Sequence, residues 1–63
     1  MHPYFMRLED VMSATGLSRA AIYAMMALGQ FPRQIRIGER SVAWISTEVQ
    51  AWINAKIAAN RAA

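Results

Sequence analysis

The chain has 63 residues, with seven Lys or Arg against four Asp or Glu, one His and no Cys. A chain of this length forms one small domain and buries only ~60% of the surface it exposes when unfolded, leaving no room for an ordinary active-site cleft. No enzymatic activity, small-molecule substrate or cofactor is therefore expected, and without cysteine a disulfide scaffold or a thiolate zinc site is excluded. The formal charge is +3 and the isoelectric point about 10.2, above the ~9 that marks a nucleic-acid footprint in a small domain. A binding module is the starting expectation.

Hydrophobic residues make up 56% of the chain, but twelve of them are alanines, which favour helix and bury little. The longest uncharged stretch, residues 20–32, holds Gly29, Gln30 and Pro32. A membrane-spanning helix needs ~20 apolar residues, so no membrane segment is expected. The first residues lack the basic region and apolar run of a signal peptide, and a cytoplasmic location is the default expectation.

Residues 1–7 read as an extended lead-in, with Pro3 discouraging helix. From Leu8 the spacing of Leu8, Val11, Met12 and Thr15 predicts a short helix. Glu9 and Asp10 sit in its first turn, where the helix dipole favours negative charge. Gly16 is placed to end it, and Ser18 to cap a second helix over residues 19–28 that stops at Gly29. Ile22, Met25 and Met26 share one face of this helix; Ala20, Tyr23, Ala24 and Ala27 share the other. Two short helices joined by Thr15-Gly16-Leu17 form a helix-turn-helix signature.

The period then changes. Residues 34–37 and 41–45 are β-rich, with Ile35/Ile37 and Val42/Trp44 alternating, and Gly38 suits a two-residue type II′ hairpin turn. On this reading Arg36, Arg40 and Arg33 project away from the apolar side. Ser46 or Thr47 caps a last helix, Thr47 and Gln50 fit a capping box, and Val49, Ile53 and Ile57 form its apolar stripe. Trp44 and Trp52 read as core. The expected fold is mainly α with a small β-hairpin: a winged helix-turn-helix over residues 8–60, followed by a tail at 61–63.

In a helix-turn-helix the second helix enters the major groove and its N-terminal residues reach the bases. Ser18, Arg19, Ala20, Tyr23 and Ala24 hold those positions. Arg19 suits a guanine edge or a phosphate, Tyr23 a phosphate, and the alanines a thymine methyl. Arg33, Arg36 and Arg40 would bring the hairpin onto the backbone or into the minor groove. The bland alternatives are solvated charge for the arginines and a half-buried ring for Tyr23. Glu9 and Asp10 show no acid–base pairing.

The residues Arg7-Leu8-Glu9-Asp10-Val11, Thr15-Gly16-Leu17-Ser18-Arg19 and Ile22-Tyr23 resemble the AlpA family of prophage regulators. So do Gly29-Gln30-Phe31-Pro32-Arg33, Gly38, Arg40, Val42-Ala43-Trp44 and Glu48-Val49-Gln50-Ala51-Trp52-Ile53, and together they span roughly 50 residues. The resemblance implies an excisionase-like winged helix that binds double-stranded DNA in transcription or mobile-element excision, as a homodimer or a cooperative multimer. One departure stands out. The family carries Ser or Thr near positions 20–21 and a basic residue after the Tyr, whereas Ala20, Ala21 and Ala24 stand here. The rival expectation is an interaction module that keeps the fold and binds protein through this Ala-rich face.

Overall fold

The computed structural model describes residues 2–61. Its elements run β1 (Phe5–Met6), α1 (Leu8–Thr15), α2 (Arg19–Ala27), β2 (Ile35–Arg36), β3 (Val42–Ile45) and α3 (Ser46–Arg61). The strands form one antiparallel sheet in the order β1-β3-β2. Met6, Val11, Ile22, Phe31, Trp44 and Val49 make the buried core, with Leu8, Met12, Leu17, Met25, Met26 and Ile53 packed around it.

Local chemistry explains the two short helices. The Arg7 backbone N–H donates to the Asp10 carboxylate at 3.0 Å, which satisfies a free donor at the start of α1. Gly16, at φ 73°, turns the chain left-handed, and its N–H donates to the Met12 carbonyl at 2.8 Å. The Thr15 hydroxyl donates to the Val11 carbonyl and accepts from the Leu17 N–H, which pins the turn between the helices. Ser18 then caps α2, its Oγ accepting from the Ala21 N–H at 3.1 Å. At the other end Gly29 (φ 72°) and Gln30 donate to the Met26 and Met25 carbonyls, a Schellman closure.

Two indoles hold the loop that follows. Trp44 Nε1–H donates to the Pro32 carbonyl at 3.1 Å, and Trp52 Nε1–H to the Gln30 carbonyl at 2.8 Å. Phe31 meets Trp52 edge-on at 4.9 Å between ring centroids. Trp44 is fully buried, as expected, whereas Trp52 is half-buried and works mainly as this clamp.

Several expectations change. Within the supposed lead-in, Phe5 and Met6 pair with Ile45 and Trp44, so this stretch closes one side of the sheet. In the hairpin, Ile35 lies opposite Ala43 and Arg36 opposite Val42. Directly paired residues share a face and alternate residues share a face. Arg36 therefore lies on the Val42/Trp44 side, while Ile35 and Ile37 take the opposite side and stay more than a third exposed. The turn is not type II′. Gly38 has no positive φ, and Gly38 and Ser41 bracket Glu39-Arg40, with the Ile37 N–H donating to the Ser41 carbonyl.

The last helix also differs from expectation. Ser46 lies inside it, buried, and its N–H and Oγ are bonded to the Tyr4 carbonyl and N–H. Gln50 Nε2 donates to Asn54 Oδ1, and among the described residues no backbone N–H at the start of the helix donates to the Gln50 side chain. Val49 is buried and Ile53 half-buried, but Ile57 is exposed because α3 has run past the core by that point. Of the expected tail, Arg61 is the last residue of α3, and residues 62–63 lie outside the described part.

Candidate nucleic-acid interface

Burial of Ile22 fixes the rotation of α2. With that residue turned inward, Arg19, Ala20, Ala24 and Ala27 are exposed and Tyr23 lies at the margin, half-buried. The Tyr23 ring meets Trp44 edge-on at 6.3 Å, an arrangement favoured by the ring quadrupoles. The Arg19 guanidinium lies 5.9 Å from the centre of the same ring, within cation–π range. Tyr23 is thus held from beneath by the core and carries a positive charge on its outer side.

The Tyr23 hydroxyl donates to Gln34 Oε1 at 3.4 Å, across the gap between α2 and the start of the hairpin. Tyr23, Met26, Ala27, Arg33 and Gln34 line an open depression of about 420 Å³ there. Its lining joins the apolar Met26 and Ala27 to a guanidinium, a phenol and an amide. Such polar groups can hold a phosphate by charge-assisted hydrogen bonds, or a base edge by paired donors and acceptors.

The expected site residues fall into three groups. Arg19, Tyr23 and Arg33 converge with Gln34 along the seam between α2 and the hairpin. Ala20 and Ala24 are exposed on α2 without polar atoms in their side chains, and the Ser18 oxygen is already accepting a cap bond. Arg36 and Arg40 are exposed on the hairpin, Arg36 on the face that Gln34 shares by register and Arg40 in the turn. Gln34 was missed. The signal lies in the alternation of Gln34 with Arg36, two polar residues on the face of the strand opposite Ile35 and Ile37.

Among the described residues no cluster of His, Asp or Glu is placed to hold a metal, and no helix is long and apolar enough to cross a membrane.

Two short helices about a tight turn, a two-stranded wing and a closing helix define a small winged helix-turn-helix, mainly α. Comparison with known proteins specifies it further. The profile of the family described as "Prophage CP4-57 regulatory protein (AlpA)" matches residues 4–57, and the chain belongs to that family. It is 42% identical over 57 residues to "Uncharacterized protein ORF88" of Enterobacteria phage P4, covering 90% of this chain and 65% of that protein. It is 33% identical over 55 residues to the "DNA-binding transcriptional activator AlpA" of Escherichia coli (strain K12), covering 78% of this chain and 79% of that protein.

Proposed function

We propose that this protein is a DNA-binding regulator of a mobile element that acts on transcription, with α2 in the major groove and the wing on the backbone or in the minor groove. The carrying observation is the seam Arg19–Tyr23–Gln34–Arg33, which continues onto Arg36 along one face of the hairpin. Membership of a prophage regulator family, and a relative named as a DNA-binding activator, support the same reading. An excisionase-type architectural role uses the same surface. It differs in its target, repeated sites at an element's end rather than a promoter.

The roles follow from the placement. Arg19 and Arg33 clamp phosphates flanking the seam, or Arg19 reads a guanine edge bidentately. Ala20 and Ala24 allow close approach and methyl contact without hydrogen bonds. Sequence is then read mainly through Arg19, the Tyr23–Gln34 pair and DNA shape.

A gel-shift titration against DNA from the element's own promoter and ends tests this. Arg19→Glu and Arg36→Glu are each expected to weaken binding at least ~10-fold, the order of one lost phosphate contact replaced by repulsion. Unchanged affinity in both variants would place the DNA on another face. No shift by the natural protein at low salt would favour the interaction-module reading, for which the exposed Ala20/Ala24/Ala27 face is the supporting observation.

A further inference from the structure

Among the described residues strand β1 pairs only with β3, and its far side is an open sheet edge. The Ser46 N–H donates to the Tyr4 carbonyl, and the Tyr4 N–H donates to Ser46 Oγ. Inward and outward backbone groups alternate along an antiparallel strand. Tyr4 and Met6 therefore turn their groups toward β3, and the N–H and C=O of Phe5 point out of the sheet.

The two edges are unlike. On β2 the edge carries Arg36 and runs into Glu39 and Arg40, and charge of that kind discourages strand addition. On β1 the charge and the proline lie only at the ends, Pro3 before and Arg7 after, and Tyr4, Phe5 and Met6 between them are uncharged. Tyr4 and Phe5 are 61% and 59% exposed. With Pro3 and Ile45 they line an apolar depression of about 490 Å³.

We propose that a second copy of this chain docks here, β1 against β1, antiparallel about a two-fold axis at Phe5. Each Phe5 N–H donates to the other copy's Phe5 carbonyl, and the two rings lie side by side on one face. The sheet becomes six-stranded, in the order β2-β3-β1-β1-β3-β2. A second copy fits because the edge is self-complementary: its one outward donor and one outward acceptor belong to the same residue, as an isologous contact requires. Charge agrees with this. Arg7 falls opposite Pro3 in that register, so no like charges face each other, and Arg36, on β2, stays at the outer ends of the joined sheet.

The size of the patch sets the strength. Aromatic side chains bury on the order of 150–250 Å² each, so two Tyr4 and two Phe5 at these exposures contribute roughly 500 Å², below the ~1,200 Å² of a stable complex. The dimer is transient in solution and forms toward millimolar concentration.

Sedimentation equilibrium of the full chain without DNA, from about 10 μM to about 1 mM and at low and high salt, tests the proposal. The apparent mass is expected to rise toward two copies and to hold or strengthen in high salt, the opposite of phosphate binding. Phe5→Pro removes the outward N–H and spares the β1–β3 bonds; Phe5→Lys puts charge on the edge. Both variants should stay monomeric, whereas Arg19→Glu should dimerise as the natural chain does, which separates this surface from the DNA reading. If Phe5→Pro unfolds by circular dichroism, Phe5→Lys decides. A natural chain that is monomeric at 1 mM, or a folded Phe5→Lys that associates undiminished, overturns the proposal.

Discussion

Ser18 and Trp44 each do a job that one substitution can isolate. Ser18 holds the start of α2 through its bond to the Ala21 N–H and offers its backbone carbonyl to the Ile22 N–H. Replacing it with alanine removes only the first of these. Ser18→Ala is expected to cost about 1 kcal/mol of stability, measured by urea unfolding. A neutral result would show that the cap is satisfied by water. Trp44 is fully buried, supports Tyr23 and pins Pro32. Trp44→Ala should cost about 3–5 kcal/mol, comparable to the whole stability of ~3–9 kcal/mol expected for 63 residues. A chain that still unfolds cooperatively near the natural midpoint would contradict this placement of the core. The alanines of α2 act differently, since removing polar atoms from an exposed face costs the fold nothing and moves recognition toward its edges.

The elements differ in how local their causes are. Helices α1 and α2 are bounded by contacts within five residues, namely Asp10 to Arg7, Gly16 to Met12, Ser18 to Ala21 and Gln30 to Met25. Their spacing and caps were legible for that reason. Strand β1 is two residues long, and its neighbour Tyr4 bonds Ser46, 42 positions away. No periodicity can show in two residues, so the stretch read as lead-in. Its contribution is measurable. Removing residues 1–6 exposes the Met6 site and leaves β3 unpaired on one side. Burial of one such side chain contributes about 1.5–3 kcal/mol, so thermal unfolding should begin at least ~8 °C lower. An unchanged melting temperature would make β1 dispensable. The hairpin misled for another reason: alternation shows which residues share a face, but not which face meets the core. The β-branched Ile35 and Ile37 suggest the inner side, and the strand instead brings Gln34 to Tyr23 of α2, with Arg36 on the same strand face.

Over the whole molecule, the net charge of +3 becomes a directed field through the placement of four arginines. Arg19, Arg33, Arg36 and Arg40 are all exposed, in α2, the adjoining loop and the wing. If all four neutralise phosphates, the logarithm of DNA affinity should fall against the logarithm of salt with a slope of about −3.6, roughly 150-fold from 50 to 200 mM. Measuring binding across that range checks it, and a flat response would remove phosphate contact from the proposed function. In Arg33→Ala the slope should shrink by about one contact, ~0.9, with little change in sequence preference.

Composition, caps and spacing alone determined a small, basic, cysteine-free domain, its two short helices and their turn, and the hairpin that follows them. These properties rest on interactions between near neighbours, which a linear pattern records. Tertiary structure decided the third strand, the face that the hairpin turns inward, the end of the useful length of α3 at Ile53, and the meeting of Gln34 with Tyr23. Each depends on which side of an element competes successfully for a core only a few side chains deep. That competition is settled by Trp44 and Ile22 filling the interior together.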